Sequence, residues 1–109
     1  MAQFDVHRNT GKQKDAIPYV VIVQSSSFDS YRRRIVVPLV RRSNLATDSA
    51  FVDIPLNPVF IIDGIEVILH PLEVVSISIE QLGDKVMSLA PEGDRITAAL
   101  DELLTRAWT

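Results

Sequence analysis

Val59-Phe60-Ile61-Ile62 and Ile65-Glu66-Val67-Ile68-Leu69 flank Asp63-Gly64, and this stretch constrains the chain more than any other. Two β-branched runs on either side of a two-residue Asp-Gly loop predict a hairpin closed by a type I′ turn. That turn needs positive φ at both central residues, and its twist matches the twist of the strands. Such a pair is antiparallel, and its apolar faces must be covered. The remaining question is what the rest of the chain adds to cover them.

More strands come first. Gln3 to Val6 predicts a short strand with Phe4 and Val6 on one face. Residues 9–15 are polar and turn-rich, a loop. Tyr19-Val20-Val21-Ile22-Val23 is too short for a helix and reads as a central strand buried on both faces. Residues 24–31, QSSSFDSY, break the pattern because serines compete for backbone hydrogen bonds. Phe28, alone among polar neighbours, is expected to fold inward and anchor that loop. Arg34 to Val40 returns to strand character, with Pro38 expected to mark an edge or a bulge. Arg41 to Phe51 is polar, and Asp53 to Pro58 is expected to be extended, with two prolines setting φ. Leu72 to Ile79 alternates as a further strand. Gly83 to Ala90 is expected to be a turn, with at most one helical turn.

A helix closes the chain. Ile96, Ala99, Leu100, Leu103, Leu104 and Ala107 form one apolar stripe, with Pro91 suited to a first turn and Gly93 weakening the start. The helix is expected to begin between Glu92 and Arg95. Trp108, the one tryptophan, points about 110° from the centre of the stripe, beside Leu104. On position alone it is a frayed terminus, a ring folded over the rim of the core, or a contact residue of the kind enriched at hot spots. Strands followed by one helix predict an α+β chain, an antiparallel sheet or small barrel with a helix docked on it.

At 109 residues, 47% hydrophobic and 23% charged, the chain suits one domain, residues 1–109, with a real core. A domain this small buries a limited share of its surface, which favours a dimer. No cysteine is present, so there is neither a disulfide nor a thiolate metal site. MAQFDVHRN lacks the apolar segment of a signal peptide, and no apolar run reaches the roughly 20 residues of a membrane span. The expected location is the cytoplasm.

Residues 1–47 hold eight Lys/Arg against three Asp/Glu, and residues 48–109 hold three against eleven. Arg32, Arg33, Arg34, Arg41 and Arg42 form a basic window that could meet phosphate or an acidic peptide, or could simply be a solvated loop and strand edge. The net charge of −3 argues against nucleic acid as the main partner, and no sequence-specific binding to it is expected.

Chemistry is sparsely provided. His7 and His70 have no ligand-like neighbours, so no metal is expected. Ser25, Ser26 and Ser27 lack a nucleophile-elbow context, and no glycine loop cradles phosphate. No cofactor is expected. Asp29 with Arg33 and Arg34 could in principle move a proton and stabilise a phosphorane. The plainer reading, an ion pair fixing a loop against a strand, is preferred.

Val23-Gln24-Ser25, Asp29, Arg33-Arg34, Val36 and Pro38-Leu39 form the spaced pattern V-Q-S-x3-D-x3-R-R-x-V-x-P-L. With Gln3-Phe4 and Val6 before it, Asn57-Pro58-Val59 after it and a C-terminal helix ending in Trp108, the chain resembles the CcdB family of toxins over nearly its whole length. The resemblance implies a homodimeric SH3-like barrel with a long C-terminal helix and no catalytic residue or metal. It implies binding to the A subunit of DNA gyrase, which traps cleaved DNA, and neutralisation by a cognate antitoxin whose disordered C-terminal segment folds on the toxin. It also implies a gyrase-contact set of Trp108, stacking on an arginine, with Thr109, Leu104, Phe28 and Ser27. On charge, Arg41 and Arg42 are the positions expected to meet the antitoxin. The best-known members end in Gly-Ile after this tryptophan, whereas this chain has only Thr109, and Ser27 stands where an apolar residue is typical. The alternatives are a metal-independent endoribonuclease of the MazF/Kid type, built on Asp29, Arg33 and Arg34, or a CcdB-like protein that has lost gyrase poisoning.

Overall fold

The structure, a computed structural model, describes residues 2–45 and 53–105. Seven strands form one antiparallel sheet: β1 (Asp5–Asn9), β2 (Tyr19–Ile22), β3 (Arg33–Arg41), β4 (Val59–Ile62), β5 (Ile65–Leu69), β6 (Val75–Ser78) and β7 (Leu82–Ser88). They are followed by α1 (Gly93–Leu104). The hydrogen-bonded order is β4-β5-β3-β2-β1-β7, with β6 also paired to β3. The sheet curls into an α+β, SH3-like barrel. The segment 75–88 makes the curl visible. It leaves one margin of β3 as β6 and arrives at the far margin of β1 as β7. On the way, Ile77 and Leu82 cover Val20, Ile22 and Val36.

The predicted hairpin is present. β4 pairs with β5 from Val59↔Ile68 to Ile62↔Ile65, and Asp63 and Gly64 take φ of 51° and 78°. All four residues of β2 are buried, as a doubly covered strand requires. Tyr19 and Val21 face the larger core with Val37, Leu39, Phe60, Ile62 and Leu69, and Val20 and Ile22 face the smaller one. The alternation of side chains across a strand produces this division.

Pro38 departs from expectation, because it lies inside a central strand rather than on an edge. The register explains how the sheet tolerates it. Val23 N–H donates to Ile35 C=O (3.0 Å), so odd residues of β3 point their backbone groups at β2 and even ones point away. The N of Pro38 therefore faces the other margin, between the last β6 pair, Val36↔Val75, and the first β5 pair, Leu39↔Leu69. The 3-10 turn Pro71–Glu73 occupies the chain between those strands. Pro38 still offers its C=O to His70 N–H (3.1 Å), and the facing His70 C=O accepts from Glu73 N–H (3.1 Å), so the missing N–H strands no acceptor.

Three further expectations need correction. The first strand begins at Asp5 rather than Gln3, because Phe4 has φ of 71°, outside the β region. The chain from Asp53 to Pro58 is folded back rather than extended. Asp53 has φ of 56°, Asn57 N–H donates to Ile54 C=O (2.8 Å), and Asp53 N–H donates to Asn57 C=O (3.0 Å). Residues 82–88 are a strand rather than a turn. Its pairing with β1 shifts register twice, which destroys the alternation that would announce a strand. At the shift a Cβ on Gly83 would lie 2.7 Å from Arg8 C=O, so only glycine fits.

α1 starts inside the predicted window, after a 3-10 turn Ala90–Glu92 that carries Pro91. Ile96 and Ala99 are fully buried and Leu100 packs on the same core. Leu104 is 68% exposed, so the stripe narrows before the helix ends. Ala107, Trp108 and Thr109 lie outside the described residues. No helix is long and apolar enough to cross a membrane among the described residues.

Candidate partner-binding site

The segment between β2 and β3 contains the 3-10 turn Ser26–Phe28. Ser25 caps it, its Oγ accepting from Ser27 N–H (3.2 Å) and donating to Ser27 Oγ (3.1 Å). Serine at the cap and short polar residues after it favour such a turn over a strand. Phe28 does not fold inward as its composition suggested. It is 52% exposed, and its ring lies 6.2 Å from that of Tyr31, tilted by 41°. Tyr31 is exposed as well. No local pattern singles it out, although it closes the same QSSSFDSY stretch.

The loop stands on one buried cation. Arg34 is 4% exposed. Its Nη1 donates to Tyr31 C=O (2.5 Å) and Arg33 C=O (2.9 Å), and its Nη2 donates to Asp29 C=O (3.1 Å) and lies 3.6 Å from Asp29 Oδ1. This is the ion pair fixing a loop against a strand. Arg33, one residue earlier, points to the opposite face, where its Nε donates to Ser76 Oγ (2.8 Å) and its Nη2 to Ser76 C=O (2.7 Å). The two guanidinium groups therefore do not converge with Asp29 on one reacting centre, as acid–base cleavage of RNA would need.

Two of the three other arginines of the basic window meet carboxylates from the acidic half of the chain, and the third meets a backbone carbonyl. Arg32 pairs with Glu80, and Arg42 Nη1 donates to Glu66 Oε2 (2.6 Å). Arg41 Nε donates to Asp15 C=O (3.0 Å). Arg42 keeps half of its side chain in solvent and so remains open to a second carboxylate. Exposed pairs of this kind contribute about 0–1 kcal/mol each and exchange partners readily.

Other groups offer little for catalysis. His7 Nδ1 lies 2.9 Å from Gly83 C=O, tying β1 to β7. No group of three or more His, Asp or Glu is placed to hold a metal ion among the described residues. An open cleft lined by Asp53, Ile54, Pro55, Pro58, Arg95 and Ala98 lies beside α1. Its one cation is already engaged with Val59 C=O (2.9 Å), Glu92 (2.7 Å) and the face of Phe60 (4.5 Å).

Of the expected contact set, the structure places Ser27 and Phe28 together on the loop and leaves Leu104 exposed near the end of α1. α1 lays Ile96, Ala99 and Leu100 on the larger core, beside the turns Pro71–Glu73 and Ala90–Glu92. Trp108 and Thr109 lie outside the described residues.

The pattern residues now have structural roles. Gln24 joins β2 to β3 through its amide, Arg34 gathers the loop, and Asn57 Nδ2 donates to Leu69 C=O (3.1 Å) below the hairpin. The model of the CcdB protein family matches residues 3–105. The chain belongs to the CcdB family. A search of the curated proteins gives no significant match. Membership makes this chain a toxin of the toxin–antitoxin type. The matched residues stop at Thr105, so Trp108 and Thr109 lie beyond them as well.

Proposed function

We propose that this CcdB-family chain acts by binding the A subunit of DNA gyrase and trapping the cleaved DNA complex, and that it performs no catalysis. The family match over residues 3–105 carries the reading. The exposed aromatic loop supports it, since Phe28 stands in solvent where the family resemblance puts a gyrase contact. Trp108, Thr109, Leu104 and Ser27 complete the proposed contact set. A cognate antitoxin with a disordered C-terminal segment neutralises the toxin, and Arg41 and Arg42 are proposed to receive its carboxylates.

The protein works as a homodimer in the cytoplasm on this reading. Leu72, Val74 and Val75 form an exposed apolar run that a second copy would cover. The ribonuclease alternative is disfavoured by the burial of Arg34 and the divergence of Arg33.

A pull-down of the gyrase A subunit by the purified chain, run beside an RNA-cleavage control without metal, tests the proposal. Capture of the subunit with intact RNA is the expected result. Cleaved RNA and no capture would replace this reading with the ribonuclease.

A further inference from the structure

We propose that Arg34 is a positioning residue: its buried guanidinium sets the loop so that Phe28 and Tyr31 are presented to the partner as one aromatic element. The inference rests on the gyrase reading above and adds how the contact is built.

The stretch QSSSFDSY has no apolar residue besides Phe28 and Tyr31, so side-chain burial cannot order it. Left to itself, a serine-rich loop with two aromatic rings would collapse or sample many conformations. Burying a guanidinium is costly unless its donors find acceptors. Arg34 meets that condition at Nη1 and Nη2, which donate to the carbonyls of Asp29, Tyr31 and Arg33, while its buried Nε has no hydrogen-bond partner among the described residues. Asp29 directly follows Phe28, and Tyr31 is itself one of the acceptors. Both aromatic side chains thus hang from backbone fixed to β3. Phe28 C=O accepts from Tyr31 N–H (3.1 Å), which sets the spacing between the two rings. With the backbone held, the rings cannot turn inward, and their exposure is a consequence of the fold. Preordering them also lowers the entropy lost when a partner covers them.

Lysine cannot substitute. Its single ammonium lacks the planar fork that reaches several carbonyls at once. The test compares wild type, Arg34→Lys, Phe28→Ala and the double variant in two measurements. The first is amide hydrogen exchange of residues 26–32 in the free protein. The second is affinity for the purified gyrase A subunit. Arg34→Lys is expected to speed loop exchange roughly tenfold, the factor of about one charge-assisted hydrogen bond, with smaller changes in β1 and β2. It is expected to weaken binding by a similar factor, and to have a smaller effect once Phe28 is alanine, because only Tyr31 is then left to present. Unchanged loop exchange in Arg34→Lys, or binding losses that multiply in the double variant, would overturn the proposal. Should Arg34→Lys fail to fold, Arg34→Met, which fills the buried space without donors, carries the same comparisons. If wild type does not bind the A subunit at all, the gyrase reading falls, and loop exchange alone decides the role of Arg34.

Discussion

The backbone of Gly93 lies directly against the ring of Phe4: a Cβ at Gly93 would stand 2.6 Å from Phe4 Cε2 and 2.9 Å from Cδ2. The ring cannot simply retreat. Phe4 N–H donates to Ile22 C=O (2.6 Å) and its C=O accepts from Leu89 N–H (2.8 Å), and its side chain packs on the larger core. Two effects of Gly93→Ala therefore oppose each other. Alanine favours the first turn of α1 by up to about 1 kcal/mol, while overpacking costs about 1–3 kcal/mol. Overpacking should win, with a net loss of about 1 kcal/mol in urea denaturation. A Phe4→Leu companion should recover part of it. A raised urea midpoint for Gly93→Ala alone would show that the contact is loose.

Gly93 illustrates what the sequence could not display. Read as a letter, it weakens a helix; in the fold it admits a ring from 89 residues earlier in the chain. The elements legible in advance were those whose signal is local: the Asp63-Gly64 hairpin, the doubly buried β2, and the buried face of α1 at Ile96 and Ala99. Those missed depend on a distant partner. β7 is a strand because β1 lies beside it, with bulges that hide its period. Pro38 is tolerated because β3 changes partner at that point. The site was legible only in part. The spacing of Asp29 and Arg34 makes an ion pair legible, but nothing local says that Phe28 turns outward, because the cause is three carbonyls gathered by a residue six positions on.

Asn57 supports the hairpin from below. Its side chain is buried, Nδ2 donates to Leu69 C=O (3.1 Å), and its backbone closes the fold-back with Asp53 and Ile54. Asn57→Asp should be worse than Asn57→Ala. Alanine removes the donor, at a cost of about 1–3 kcal/mol, together with the buried Oδ1, which has no partner among the described residues. Aspartate also sets a buried carboxylate against a carbonyl oxygen, adding a charge with no partner. Thermal denaturation at neutral pH should rank wild type above Asn57→Ala above Asn57→Asp. Equal midpoints for the two variants would mean that the site is open to water.

Gln24 lengthens the β2–β3 ladder with its side chain. Its Oε1 accepts from Ile35 N–H (2.9 Å) and its Nε2 donates to Arg33 C=O (3.2 Å). Val23 C=O, the backbone acceptor beside it, accepts from Gln3 Nε2 (2.9 Å). Gln24→Ala should cost about 1 kcal/mol, near the usual value of a hydrogen bond on a partly exposed surface. Hydrogen exchange at Ile35 N–H should quicken in the same variant. If Ile35 remains as protected as in wild type, water replaces the amide and the side chain is dispensable.

Phe28 and Trp108 are proposed aromatic contacts from different parts of the chain, and they can be separated. Phe28 is exposed on a loop held by Arg34, so Phe28→Ala should change stability by no more than about 0.5 kcal/mol, as expected for a surface site. If it is a hot spot, the same change should lower affinity for the gyrase A subunit at least tenfold, about 1.4 kcal/mol or more, and relieve growth inhibition. Trp108→Ala should likewise abolish growth inhibition while leaving the fold and the proposed dimer intact. Growth after induction, paired with affinity for the A subunit, reads both variants on one scale. Loss of toxicity in both makes the contact a surface shared by the loop and the chain end. Persistent toxicity in Trp108→Ala, with loss in Phe28→Ala, removes the tryptophan from the contact set and leaves the loop to carry it. That result would agree with a family match that stops at Thr105. Persistent toxicity in Phe28→Ala would instead show that the aromatic loop, however well held, is not what gyrase meets.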